Sequence, residues 1–338
     1  MVSTTSLIIV IAFVSAAVLV EITKRLALAN NLLAHPNARS FHETPTPSMG
    51  GIGIVVPVLV LLAYLWLVAG VFLAGLFFVG GFLMAFTGGF DDLQELPASL
   101  RLIVQVLAAG LLIYGFANEL SWWQVATVLV AIVWAINLTN FMDGIDGLAA
   151  SQCVLFVVGC QILNSGLTGW VSDLLWILGA ANLAFLGFNW APAKIFMGDL
   201  GSGFLGFMLM ALVLTLNSAG QLPFIVSLIL LTGFWFDASY TLCVRIVSSQ
   251  RFMSAHRSHL YQKIAARVGH ERTTVLFVAF WVVYLLPLAW LARNFPDYQI
   301  WCFIAACLPL LISAIVFKAG HPSPDDGSGN ESQNRVVN

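Results

Sequence analysis

Hydrophobic residues lie in long, nearly unbroken blocks that recur from Ser6 to Lys318, not in the alternations of half-buried strands or surface helices. Each block approaches the roughly 20 residues an α-helix needs to cross a hydrocarbon core about 30 Å thick. Gly, Pro and charged clusters divide them into eleven candidate spans, near 6–26, 52–69, 71–89, 101–117, 122–138, 148–164, 171–189, 202–217, 222–242, 273–292 and 300–317. Only Gly70 separates the second from the third, and the third and ninth carry helix breakers. The expected fold is therefore an all-α polytopic membrane protein of about 10–11 transmembrane helices, with its functional site in cytoplasmic loops. No internal repeat of the inverted-transporter kind is visible.

Composition sharpens this reading. Of 338 residues, 60% are hydrophobic and only 9% charged, which excludes an ordinary soluble domain. The net charge of -2 carries no basic excess that would favour nucleic acid. With eleven spans, thirteen of the fourteen basic residues fall in connections of one parity, with Arg293 opposite. Positive residues are retained on the cytoplasmic side during insertion, so that parity is read as cytoplasmic and the N-terminus as external. The first apolar block carries its positive charges after it, unlike a cleaved secretory signal, and is read as a retained span. All six histidines share the basic side. Residues 1–319 thus form a membrane domain, and 320–338 a polar tail too poor in apolar residues to build a core. The five cysteines lack metal-site spacing and read as small buried hydrophobes. A homodimer is compatible with the apolar spans, but no face is specified.

Five polar constellations interrupt the apolar pattern on the basic side. Asp91-Asp92 places adjacent carboxylates at the end of a Gly-rich span, where mutual repulsion calls for a cation or shared proton. NLTNFMDGIDGL (137–148) gathers Asn137, Asn140, Asp143 and Asp146 around glycines that permit a tight turn, and its carboxylate and amide oxygens suit a hard cation. In the segment from Pro192 to Gly203, Lys194 faces an anion while Asp199 sits between glycines before a span. The loop 245–272 carries Arg245, His256 and His259 among further basic residues, a set able to bind phosphate or carry protons. Residues 37–51 add Arg39 and His42 within a Pro- and Gly-shaped loop. Each has a plainer reading, as helix caps, snorkelling lysines or attraction to anionic lipid.

Acids and bases gathered on one side describe a metal-assisted phosphate site. Neither a GxxxxGK[ST] loop nor a GxGxxG fingerprint is present. The rival class is a secondary transporter, whose intramembrane carboxylates would mark an ion path; here the acids sit at loop ends, and apart from Glu21 near a span terminus and Asp237 close to the cytoplasmic end of the ninth span, the spans are nearly free of charge.

Asp91-Asp92, NLTNFMDGIDGL, FMGDLGSG (196–203) and HRSHLYQK (256–263), in that order, resemble the polyprenyl-phosphate N-acetylhexosamine-1-phosphate transferases. The resemblance extends to about Lys318. It implies transfer of a HexNAc-1-phosphate from a UDP-sugar to undecaprenyl phosphate, releasing UMP, with Mg²⁺ or Mn²⁺, in the bacterial cytoplasmic (inner) membrane. By matching motifs it implies Asp199 and Asn140 as metal ligands, Asp91 as the base that keeps the lipid phosphate nucleophilic, and Asp92 as its support. Asp143 and Asp146 would lie at the nucleotide, and Arg101, Lys194, Arg245, His256 and His259 at the pyrophosphate and sugar. His256-Arg-Ser-His259 lacks the three consecutive histidines associated with the peptidoglycan branch. The PNARS…PTP…GG segment looks more like the branch that initiates O-antigen and related cell-surface polysaccharides, with UDP-GlcNAc or 6-deoxy-HexNAc donors. A phospho-MurNAc-pentapeptide transferase is the alternative within the family.

Overall fold

The computed structural model describes residues 4–34, 44–117, 120–248 and 257–321, so Arg39, His42 and His256 lie outside the described residues. The helices are α1 (Thr4–Ala29), α2 (Ile52–Leu67), α3 (Phe72–Leu93), α4 (Ala98–Gly115), α5 (Trp122–Met142), α6 (Leu148–Leu163) and α7 (Trp170–Asn189). They continue with α8 (Gly198–Ser218), α9 (Phe224–Val247), α10 (Leu260–Val268), α11 (His270–Phe280), α12 (Leu286–Asn294) and α13 (Gln299–Val316). A two-residue antiparallel ladder, β1 (Leu33–Ala34) with β2 (Thr46–Pro47), follows α1. Helices α11 and α12 form one rod, His270–Asn294, joined by a π-helical stretch, Trp281–Leu285. Pro287, just beyond that stretch, has no amide proton for the ordinary helical bond, and a wider turn accommodates the gap.

Nine helices among the described residues are long and apolar enough to cross a membrane, and the shorter apolar helices Ile52–Leu67 and Leu148–Leu163 complete the eleven expected spans. The chain is an all-α polytopic membrane protein. Its outer helices present large apolar side chains outward, such as Val10 and Ile11 on α1 and Trp301 and Ile315 on α13. That surface suits lipid and not water.

Helix α8 is the centre of the bundle. All its residues from Leu200 to Val213 are buried, as expected of a helix apolar on every face. It packs against α3, α5 and α2. Glycines set these separations, since without a helix-to-helix hydrophobic drive in lipid, close van der Waals approach carries association. A Cβ on Gly88 would lie 2.3 Å from the Asp199 carbonyl oxygen, and one on Gly51 2.4 Å from the Gly201 Cα.

Several helices run further than hydropathy suggested. Helix α3 continues through Asp91 and Asp92, α5 through Asn140, α9 through Arg245, and α8 begins at Gly198. The candidate residues expected in loops therefore sit largely on first and last helical turns. Polar residues ended the apolar windows early while the backbone kept its helical bonds. Residues 245–272 are also not one loop, because α10 forms within them. Cys243 is exposed, contrary to the expectation of burial, whereas Cys153, Cys160 and Cys302 are buried and Cys307 is half-buried; all are free thiols. The polar tail does not begin abruptly at 320: the Gly320 amide donates to the Ser258 carbonyl at 2.8 Å.

Gly88→Ala should force α3 and α8 apart and lower stability by about 1–3 kcal/mol. Thermal unfolding of the detergent-purified variant measures this, with a lower midpoint than wild type expected.

Candidate active site

The polar ends of α3, α4, α5, α8 and α10 meet at one end of the bundle. Asp91, on the last turn of α3, accepts from the Leu96 amide at 2.7 Å and from the Arg101 guanidinium at 2.6 Å. The same Arg101 Nη1 lies 3.6 Å from Asp199 Oδ2, so this half-exposed cation from α4 spans two carboxylates. Asp92 takes a different role. Its two oxygens accept from the Asp199 and Leu200 amides at 2.8 and 3.1 Å, capping the N-terminus of α8 with a carboxylate from α3. Gly198, at φ +76°, opens the turn, and a Cβ there would meet the Asp92 carboxylate at 2.5 Å.

Asn140 donates through Nδ2 to Asp199 Oδ1 at 2.8 Å and to Ser202 Oγ at 2.9 Å, joining α5 to the first turn of α8. Asn137, one turn earlier, is engaged elsewhere. It exchanges amide hydrogen bonds with Gln105 of α4, at 2.8 and 3.3 Å, which makes it a joint between helices. Gln105 was not singled out from sequence, and a lone glutamine in an apolar span was the available signal.

The 143–147 turn is held from three sides. Asp146 Oδ2 accepts from the Ala193 amide at 3.0 Å, while Oδ1 stands 3.7 Å from His270 Nδ1. The Thr274 hydroxyl of α11 donates to the Asp146 carbonyl at 2.8 Å. Buried Asn189 accepts from the Gly147 amide and donates to the Ile195 carbonyl, at 2.9 and 3.0 Å. Asp143 accepts no hydrogen bond among the described residues. Loss of water around it, with the charges of Asp199, Asp92 and Asp146 adding, raises its carboxyl well above the usual carboxylate range. Thr274 and Asn189 escaped the sequence reading because isolated polar residues carry no motif, while His270 was read only as one of the basic residues of the loop 245–272 and not as a partner of Asp146.

The PTP…GG segment meets FMGD through backbone bonds. Phe196 donates to the Pro47 carbonyl at 2.9 Å, and the Gly50 and Gly51 amides donate to the Phe196 and Met197 carbonyls at 2.8 and 2.9 Å. Lys194 is exposed and makes no ion pair among the described residues. Arg245 is buried near the end of α9. His259, also buried, immediately precedes α10 and packs beside Tyr261 and Phe141, with ring centroids 5.7 and 6.1 Å away. No group of three or more His, Cys, Asp or Glu side chains is arranged to hold a metal among the described residues. Away from these polar groups, an apolar cavity of 370 Å³ lies between α5, α8, α9 and α13, with Trp134, Leu138, Met210, Trp235 and Phe303 in its wall.

Fold and site together define a lipid-embedded helical protein with acidic and basic side chains held at one end of its bundle. A family model described as glycosyl transferase family 4 matches residues 72–217. A probable undecaprenyl-phosphate N-acetylglucosaminyl 1-phosphate transferase of Bacillus subtilis is 29% identical over 307 residues, covering 82% of this chain and 82% of the relative. A decaprenyl-phosphate N-acetylglucosaminephosphotransferase of Mycolicibacterium smegmatis is 30% identical over 305 residues, covering 76% and 74%. A phospho-N-acetylmuramoyl-pentapeptide-transferase of Clostridioides difficile is 29% identical over 283 residues, covering 73% and 82%. The chain belongs to the polyprenyl-phosphate N-acetylhexosamine-1-phosphate transferase family.

The raised Asp143 carboxyl has a signed consequence. A carboxyl that binds its proton more tightly folded than unfolded favours the fold at low pH, and that contribution is lost as pH rises through its folded value. Asp143→Asn should therefore raise the thermal midpoint of the metal-free protein at neutral pH and flatten its decline with rising pH. Thermal scans of both proteins in chelator across pH 5 to 8 check this.

Proposed function

We propose that the protein transfers HexNAc-1-phosphate from a UDP-N-acetylhexosamine to undecaprenyl phosphate, giving undecaprenyl-diphospho-HexNAc and UMP. The donor is UDP-GlcNAc or a 6-deoxy-HexNAc nucleotide, and the product initiates O-antigen or a related cell-surface polysaccharide. The reaction occurs at the cytoplasmic face of the bacterial inner membrane. The observation that carries this reading is the Asp91–Arg101–Asp199–Asn140 cluster at the ends of lipid-embedded helices, where a phosphate on a membrane-anchored chain and a water-borne nucleotide meet. Two of the similar proteins are named for N-acetylglucosamine phosphate transfer to polyprenyl phosphates. The absence of three consecutive histidines around 256–259 favours that donor class over the pentapeptide donor. The apolar cavity between α5 and α9 is of a kind that accepts part of an isoprenoid chain.

In this reading an oxygen of the lipid phosphate attacks the sugar-bearing phosphorus of the donor. A new P–O bond forms as the bond from that phosphorus to the oxygen leading to UMP breaks, and UMP leaves with the electron pair. Both reactants are anions, so repulsion must be relieved. Arg101 is exposed enough to turn donors toward the incoming phosphates while remaining beside Asp91 and Asp199. Asp91 keeps the lipid phosphate deprotonated, and Lys194 meets the pyrophosphate. Asp143 and Asp146 line the nucleotide, with Asp146 Oδ1, which no backbone amide occupies among the described residues, accepting from the uracil N3–H. Arg39, His42, Arg245, His256 and His259 complete the phosphate and sugar contacts. Attack is direct; a phosphorylated Asp91 or Asp92 trapped during turnover would overturn that.

The donor set fits a hard divalent cation. The Asp199 carboxylate and the Ser202 hydroxyl meet at the Asn140 side-chain amide, which turns its Nδ2 to both and would have to flip to offer its oxygen to a cation, and the carboxylates at this end outnumber the cationic groups beside them among the described residues. Asp199 and Asn140 would hold Mg²⁺ or Mn²⁺. When bound, the ion supplies positive charge that offsets the phosphates.

Purified protein with Mg²⁺, undecaprenyl phosphate and a panel of UDP-HexNAc donors should release UMP from one donor. Chelator should abolish release, and Asp199→Asn should lower it by about 100-fold or more, the scale of losing a transition-state electrostatic contact. UMP release only with a UDP-MurNAc-pentapeptide would move the protein to the peptidoglycan reaction; none from any donor would overturn the reading.

A further inference from the structure

Helix α10 lies outside the membrane-crossing helices, yet its place is tightly set. The first anchor is Asp237, fully buried within α9. Its carboxylate oxygens accept from the first two amides of α10, Leu260 at 2.7 Å and Tyr261 at 2.8 Å, with the Thr241 hydroxyl 3.3 Å from Oδ1. Burying a carboxylate among apolar helices is costly, and charge-assisted bonds to a helix N-terminus offset that cost.

The second anchor is Tyr261, whose hydroxyl donates to the Phe141 carbonyl at 2.9 Å at the end of α5. A Cβ on Gly144 would lie 2.0 Å from that hydroxyl, so the 141–144 turn and Tyr261 fit each other only with glycine there. Burial, with Asp237 and Asp143 adding, pushes the Tyr261 phenol well above its ordinary value and keeps it a neutral donor. The third anchor is Lys263, whose ammonium donates to the Lys318 and His321 carbonyls at 2.7 and 2.9 Å beyond α13. Between the first two anchors sits His259, its Nδ1 3.9 Å from Asp237 Oδ1 and its ring beside Phe141.

From this geometry we infer that Asp237 is a positioning residue for the transfer reaction: by holding the first turn of α10, it seats His259 against the turn that carries Asn140, Asp143 and Asp146. Asp237 touches no reactant, and its effect passes through His259. The inference rests on the transferase reading. A displacement of about 1 Å in such a supporting element costs on the order of 100-fold in rate.

The test is a double-variant cycle on the full-length protein in detergent, reading UMP release. Asp237→Asn, close in size but uncharged, should lower kcat about 10- to 100-fold and leave KM for undecaprenyl phosphate unchanged. Combined with His259→Ala it should cost no more than the worse single change, whereas combined with Arg101→Ala the two losses should multiply. Activity within twofold of wild type, or losses that multiply with His259→Ala, would overturn the inference. If Asp237→Asn does not fold, Tyr261→Phe carries the same test from the second anchor, with the same two outcomes. Hydrogen exchange separates this from the reaction itself. The Leu260 and Tyr261 amides should exchange slowly in wild type, and fast exchange there would overturn the seating even if UMP is released. Slow exchange without UMP release from any donor would overturn the transferase reading, and with it the assignment to Asp237.

Discussion

A carboxylate on one membrane helix that accepts from the first amides of another is the interaction on which this site depends. Asp92 does this from α3 to α8, and Asp237 from α9 to α10. Packing of neighbouring helices takes water away from the leading amides of α8 and α10, and wholly from Asp237, so each needs a partner within the protein. Each satisfies the other, and the bond ties together elements more than a hundred residues apart in the first case and more than twenty in the second. The positions of Asp199 and His259 follow, because each stands at the start of a helix fixed in this way.

The second constraint is steric. Glycines at 51, 88, 144 and 201 allow backbone and side chains to approach where any Cβ would collide. The charged groups thus rest on helix ends that are close-packed, which limits the reorganisation needed when anions arrive. Preorganisation is bought here by small residues and caps, not by long polar loops.

The fold was largely legible from hydropathy. Every candidate span has a helix, because apolar blocks of sufficient length have few alternatives in lipid. Boundaries were less legible: Asp91, Asp92, Asn140 and Arg245 interrupt apolar windows without interrupting backbone hydrogen bonds. The clustering of Asp91, Asp199, Asn140 and Arg101 followed from parity and motif. What sequence did not show was the division of labour among similar residues. Asp91 pairs with Arg101 while its neighbour Asp92 caps a helix, and Asn140 reaches Asp199 while Asn137 is spent on Gln105. Only the direction of each side chain separates these roles. Asp237, a single acid in an apolar span, carried no motif that pointed to α10.

The bonds from Lys263 to the carbonyls of Lys318 and His321, and from Gly320 to Ser258, draw the end of the last span onto α10. The membrane helices enter the bilayer in order of synthesis, so these partners of α10 are the last described part of the chain to arrive. The polar end of the molecule therefore draws on residues from both ends of the described chain, and the seat of α10 is complete only with the turn that follows α13 in place.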